Sequence, residues 1–187
     1  MTKAQLRAAL RARRRAHVAA LRAAGRYEAA LADLAARAIA RIEGARTVAA
    51  YLAYGDEVDP LPILTAAAAR GLVTALPRVT SRAAPMLFHR WAPGDPLLRG
   101  LYSLDQPAPE APVVTPDLIF TPLVGFDRTM ARIGQGAAFY DRAFAANPAA
   151  RRIGLAWSVQ EAEALPADPW DIPLHGIVTE QEWIEPA

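Results

Sequence analysis

Residues 120–142 read FTPLVGFDRTMARIGQGAAFYDR, and the order of textures within them decides the architecture. The apolar run ending at Val124 has strand character, the stretch holding Arg132, Gly134 and Gly136 is a loop, and small residues then lead into a helix bearing Phe139, Tyr140, Asp141 and Arg142. Strand, glycine loop and helix in succession form the repeating unit of open α/β sheets. In such sheets ligands gather beyond the carboxyl ends of the strands, where the backbone N–H groups of a glycine loop face phosphate. Arg132 would add a fixed fork of donors to phosphate oxygens. Asp141 is the kind of carboxylate that shares a magnesium ion with nucleotide phosphates. The glycines supply only G-x-G, and a Walker loop is excluded because the sole lysine is Lys3. On pattern alone, a phosphate site and a plain strand-loop-helix turn both stand.

The chain on either side keeps the same alternation. Short apolar runs separated by Gly and Pro, at Thr47–Ala53, Leu72–Leu76, Met86–Trp91, Leu118–Val124, Ile153–Trp157 and Leu174–Val178, are strand candidates. Leu61–Arg70, opened by Asp59 and Pro60 and closed by Gly71, is an Ala-rich helical stretch, and residues 137–146 form another. The expected fold class is therefore α/β: a layered α/β/α domain with a mostly parallel, Rossmann-like sheet. Ahead of it, residues 2–23 carry Leu6, Leu10, His17, Val18 and Leu21 near one helical stripe, with Thr2 as cap. Residues 27–42 form a second amphipathic helix that Gly44 suits as an end. Residues 1–187 are thus expected to be one domain, with the helical pair 1–43 packed on it. The Pro-rich segment Ala92–Pro116 reads as a surface connection.

Composition narrows the chemistry. The chain has 187 residues, 53% of them apolar and 21% charged, enough to build a core without staples. Cysteine is absent, which excludes disulfide frameworks, thiolate metal sites and thiol nucleophiles, and favours a reducing, cytoplasmic setting. No long uncharged apolar run and no cleavable leader is evident, so no membrane partner is expected. The net charge of +2 hides an asymmetry: residues 1–27 hold eight basic groups and no acid, leaving 13 basic against 19 acidic groups elsewhere. Such an arm attracts polyphosphate, nucleic acid or membrane. Its run Arg11–Arg15 reads as a solvated face. His17 and His89 are isolated, and no G-x-S-x-G nucleophile elbow occurs.

These residues bring a family into view. Gly125, Phe126, Asp127, Arg132, Gly134, Gly136, Tyr140, Asp141 and Arg142 resemble the signature loop of the 5-formyltetrahydrofolate cyclo-ligases, also called methenyltetrahydrofolate synthetases. Lys3, Leu6 and Arg7 are similar to the family's N-terminal K-x-x-L-R, and YLAYGDEV at 51–58 to its strand ending in a folate-binding Glu. Gly154–Glu180 is similar to its closing G-L-A…Q…L-P…V-T-E pattern. The likeness spans nearly the whole chain.

The resemblance implies ATP and Mg2+ as cofactors, and 5-formyltetrahydrofolate, with or without a polyglutamyl tail, as the small-molecule substrate. It implies ATP binding by Lys3, Arg7, Arg132, Gly134, Gln135, Gly136, Ala137, Ala138, Phe139 and Tyr140. Of these, Arg132 and Tyr140 are the expected catalytic pair. Leu52, Glu57 and Phe139 would contact the folate. Asp141 would hold the metal, with Asp171 or His175 as the second candidate. Met130, Ala137 and Ala138 stand where the family usually has glycine, and His175 where it has a metal-binding carboxylate. A monomer is the expected state.

Two further readings stay open. A non-catalytic relative that senses nucleotide or folate would account for those departures. A nucleic-acid binder would use the basic arm, but it lacks interleaved aromatics, and no nucleic-acid partner is expected.

Overall fold

Leu118, Ile119 and Phe120 are all fully buried, a requirement met by a strand covered on both faces. The computed structural model, which describes residues 2–82, 84–166 and 168–186 and only the backbone of Tyr102, makes them the first three residues of such a strand. Its strands in chain order are β1 (Thr47–Ala49), β2 (Val73–Arg78), β3 (Leu87–Arg90), β4 (Leu98–Arg99), β5 (Asp105–Gln106) and β6 (Val113–Val114). They continue with β7 (Leu118–Pro122), β8 (Gly125–Phe126), β9 (Arg132–Ile133), β10 (Arg151–Leu155), β11 (Gly176–Val178) and β12 (Trp183–Ile184). The helices are α1 (Lys3–Ala23), α2 (Tyr27–Ile39), α3 (Leu61–Ala69) and α4 (Phe139–Ala146).

Eight strands form one sheet in the order β12-β11-β10-β7-β1-β2-β3-β6. The five from β11 to β2 run parallel, and β12, β3 and β6 add antiparallel edges. All six expected strands form. The segment 92–116 does more than connect: it supplies β4, β5 and β6, and β6 extends the sheet beside β3. Its Gln106 is buried and exchanges hydrogen bonds with the Val79 backbone.

Period-2 alternation sorts the strand residues between two helical layers. Val48, Leu118, Phe120 and Ile153 face α2 and α3 through Leu34, Ala38, Ile63 and Leu64. Ala49, Ala75, Ile119 and Ile177 face Ala143 and Phe144 of α4.

α1 joins the α2–α3 layer only through Val18 and Leu21, while its Leu6 and Leu10 pack apart from both layers. Its capping box at Thr2 and Gln5 fixes the start, and Leu6, Leu10, Arg14, Val18 and Leu21 are its buried stripe. That stripe meets Leu123–Gly125, Trp157–Gln160 and Glu180, the segments immediately after β7, β10 and β11. The most basic helix therefore lies across the carboxyl ends of the central parallel strands. Gly125 permits this approach, because a Cβ there would overlap the buried Leu10 side chain. Gly125→Ala is expected to destabilise the protein by about 1–3 kcal/mol through overpacking. Urea unfolding measures this, and an unchanged midpoint would show that α1 is not seated on that turn.

Candidate active site

The loops that follow the strands converge beneath α1. The segment after β1, residues 51–58, is closed on itself where the Tyr51 hydroxyl donates to the Val58 carbonyl at 2.8 Å and Tyr54 N–H donates to Glu57 Oε2 at 3.1 Å. Trp157 Nε1 donates to the Asp56 carbonyl at 3.1 Å, tying that loop to the end of β10. Glu57 is thereby aimed at the loop between β9 and α4. Gln135 completes the connection: its Nε2 donates to Glu57 Oε1 at 3.2 Å, and its Oε1 accepts from Arg11.

Arg7 holds the same glycine loop from α1. Its Nε donates to the Gly134 carbonyl at 2.9 Å, and its guanidinium lies against the Gly136 backbone. Gly136 has φ +102° and Ala138, the residue before α4, has φ +51°, so both take the left-handed region. Of the three residues that replace the family's glycines, Met130 (φ +68°) and Ala138 sit where glycine would be unstrained, whereas Ala137 does not. The helix begins at Phe139, so the two alanines belong to the loop. Arg142 Nη1 donates to the Ala137 carbonyl at 3.2 Å and stacks its guanidinium 5.1 Å from the Phe139 ring centre.

Beside the loop lies a cluster of alternating charges. Lys3 Nζ is 2.6 Å from Asp168 and 3.3 Å from Asp171. Burial acts to lower the Lys3 pKa, but hydrogen bonds and charges from these two acids outweigh it and hold the ammonium above its usual value. Arg132 Nη2 meets Asp141 Oδ1 at 2.5 Å, and only 6% of the Arg132 side chain is exposed. Its Nε is buried without a partner among the described residues. Burial pulls the Arg132 pKa down against the support of Asp141 and Asp171. Two carboxylates thus bracket one underused guanidinium. That donor set suits magnesium, which takes one or two carboxylates and completes its shell with phosphate and water, and no group of three metal-binding side chains occurs among the described residues.

His175 is not part of this cluster. Its Nδ1 accepts from Arg152 N–H at 2.9 Å and its Nε2 lies 3.1 Å from Arg152 Nη2, at the opposite, amino end of β10 and β11. Burial and the charges of Arg152 and Arg151 lower its pKa.

Tyr140, Phe139 and Leu52 flank the site. Burial raises the Tyr140 pKa, the Glu57 charge adds to this, and Arg132 opposes it, so the phenol stays protonated. Its ring leans on Phe144 with centres 5.9 Å apart. Phe139 packs at the edge of the α4 layer, and Leu52 at the edge of the other core.

Sequence reasoning missed Arg14. The expected solvated face at 11–15 holds only in part: Arg13 and Arg15 are exposed, with Arg13 donating to the Glu161 carbonyl, whereas Arg11 engages Gln135 and Arg14 is 7% exposed. Helical spacing held the signal, because Arg14 continues the i+4 series from Leu6 and Leu10 to Val18. Asp168 pairs with Lys3 and also closes a turn, its N–H donating to Asp171 Oδ2 at 2.7 Å.

Comparison with known proteins finds relatives along the chain. The profile of the 5-formyltetrahydrofolate cyclo-ligase family matches residues 1–180. The chain is 31% identical over 191 residues to the 5-formyltetrahydrofolate cyclo-ligase of Mycolicibacterium smegmatis, covering 98% of this chain and 96% of that one. It is 36% identical over 99 residues to the Haemophilus influenzae enzyme of the same name, covering 50% and 53% of the two chains. The NMR structure of Aquifex aeolicus 5,10-methenyltetrahydrofolate synthetase superposes with a TM-score of 0.76 at 26% identity, covering 99% of this chain and 93% of that chain.

The backbone assignment of the loop has a direct check. Replacing Ala138 with glycine relieves the left-handed strain but loosens the unfolded chain, so the expected outcome lies between neutral and about 1 kcal/mol stabilising. Ala137→Gly is expected to cost about 0.5–1 kcal/mol. Paired urea unfolding curves decide, and the reverse order would contradict the loop conformation.

Proposed function

Since the chain belongs to the 5-formyltetrahydrofolate cyclo-ligase family, we propose that it catalyses the ATP-dependent conversion of 5-formyltetrahydrofolate to 5,10-methenyltetrahydrofolate, releasing ADP and phosphate. The observation that carries this reading is the hydrogen-bonded chain Arg11–Gln135–Glu57, which joins the basic helix, the glycine loop and the acid suited to a pterin. A carboxylate there accepts hydrogen bonds from the donor edge of the ring, and the loop and its cations receive the triphosphate on the other side.

The chemical difficulty is that a formyl oxygen leaves poorly. The formyl oxygen attacks the γ-phosphorus and ADP departs. N10 of the folate then attacks the activated formyl carbon, gives up its proton, and phosphate leaves carrying the former formyl oxygen. No protein nucleophile is needed, and the work lies in positioning and charge stabilisation. Lys3, Arg7 and Arg132 neutralise phosphate charge, with the Gly134–Ala138 backbone around it. Tyr140, held neutral, donates to the transferring group, and Leu52 and Phe139 cover the pterin. Asp141 and Asp171 are the carboxylates that would hold Mg2+, which would supply neutralisation of phosphate charge.

The binding-only alternative is less favoured. The substitutions Met130, Ala137 and Ala138 leave every cation and acceptor of the site in place, and Asp171 stands by Lys3 and Arg132 where His175 does not. The whole chain acts as one cyclo-ligase domain in this proposal. A monomer suffices, because all the groups named come from one chain. Among the described residues no helix is long and apolar enough to cross a membrane, and a cysteine-free chain suits the cytoplasm. The exposed cations Arg15 and Arg22 suit a substrate tail of extra glutamates.

Purified protein given 5-formyltetrahydrofolate and MgATP is expected to generate the methenyl absorbance with one ADP per product. Binding of both ligands without turnover would favour the sensor. Lys3→Met is expected to raise the KM for ATP by about tenfold or more, the loss of one charge-assisted hydrogen bond, with folate KM within about twofold. Asp141→Asn is expected to lower kcat at limiting magnesium by about a hundredfold, partly recovered by excess metal. Unchanged kinetics in either variant would remove that residue from the site.

A further inference from the structure

Arg14 is a buried cation with too few partners. Its Nη1 lies 3.5 Å from the Leu123 carbonyl, which already accepts from Gln160 Nε2 at 2.8 Å. Its next contact is Glu57 Oε1 at 3.9 Å, and its Nε is buried with no partner among the described residues. A guanidinium carries five donors, and leaving them unmet out of water is costly. The side chain lines a narrow crevice with Tyr51, Glu57, Leu155 and Gln160, at the carboxyl ends of β1, β7 and β10. The amide of Gln160 is engaged elsewhere: its Oε1 accepts from Trp157 N–H and its Nε2 serves Leu123 and Val124.

We propose that Arg14 is a specificity-determining residue for the folate: it holds Glu57 as a carboxylate and sets a donor beside that acceptor, so the pair reads a ring edge on which N–H groups adjoin a carbonyl oxygen. This rests on the cyclo-ligase reading, in which the substrate is a 2-amino-4-oxo reduced pterin. Glu57 alone would accept from the amino and ring N–H groups and leave the adjoining carbonyl unread. Arg14, next to it and short of acceptors, supplies the complement. A site with a buried polar group made for a substrate atom discriminates strongly against rings lacking that atom.

The electrostatics agree in direction. Burial raises the Glu57 pKa, opposed by Tyr54 N–H, Arg14, Gln135 and Arg11. The remaining groups that sense Glu57 are Tyr51 on its own loop and Tyr140 on α4, both held neutral by burial. Removing Arg14 removes a cation that favours the ionised form, so the Glu57 pKa rises further. Folate binding that needs the carboxylate then weakens at a higher pH than in the native protein.

The test is steady-state kinetics from pH 5.5 to 8.5 on the native enzyme, Arg14→Met and Arg14→Lys. In Arg14→Met the KM for 5-formyltetrahydrofolate is expected to rise about tenfold or more at pH 8. The pH at which that KM begins to climb is expected to move up by about one unit or more. ATP KM and kcat are expected to change less than about threefold. Arg14→Lys keeps a charge without the fork, so it is expected to restore the pH limb but only part of the folate affinity. An unmoved limb with native folate KM in Arg14→Met overturns the proposal. So does a parallel rise of folate and ATP KM with a lowered melting temperature, which would mark a structural prop. If Arg14→Met does not fold, Arg14→Lys decides: native folate KM throughout the pH range overturns the proposal. A native enzyme that makes no methenyl product would instead defeat the cyclo-ligase reading itself.

Discussion

A helix that turns cations toward the protein needs acceptors beneath that face, because a guanidinium taken out of water without partners is costly. α1 lies on the one region of a parallel sheet that offers this, the carboxyl ends of the strands, where loop carbonyls and acids collect. Its apolar residues Leu6, Leu10 and Val18 supply the attachment, while Lys3 meets the loop at 168–171, Arg7 and Arg11 the glycine loop at 134–135, and Arg14 the loop holding Glu57. The site exists because this helix closes it. Were α1 displaced, the loops after β1 and β9 would lose the cations that hold them to one another.

The same charges explain how the site can accept a highly charged ligand without first exposing bare cations. Lys3 rests on Asp168 and Asp171, and Arg132 on Asp141. In the proposed nucleotide reading each pair is half of what a metal-nucleotide complex needs, with the cation for phosphate and the carboxylate for metal. Arrival of such a ligand would then exchange partners rather than create charge, which limits the desolvation cost. Two residues at φ above zero without being glycine, Met130 and Ala138, show that the loop conformation is held by these surroundings against a local preference for another.

The layered α/β fold was legible because each buried strand is a short apolar run and each helix a longer periodic one, punctuated by Gly and Pro. The short strands β4, β5 and β6 were not, since two-residue pairings leave no periodic trace. Within the site, Lys3, Arg7, Glu57, Arg132 and Asp141 stood out through motif position. Arg14 did not, because a charged residue in a run of arginines reads as solvated, and only its place in the Leu6–Leu10–Val18 series betrays burial. His175 shows the reverse. Its motif position pointed to the metal, yet the turn before β11 hands it to Arg152 at the far end of the strands. Spacing along the chain does not report which end of a strand a residue reaches.

The central claim is that the ion pairs beneath α1 are the resting form of a nucleotide site. A crystal structure with magnesium, a non-hydrolysable ATP analogue and 5-formyltetrahydrofolate tests it most directly. The account expects Lys3 to leave Asp168 and Asp171 for a phosphate oxygen, with Asp141 on the metal and the pterin against Glu57. Nucleotide bound elsewhere, with Lys3 still on Asp168 and Arg132 still on Asp141, would contradict it.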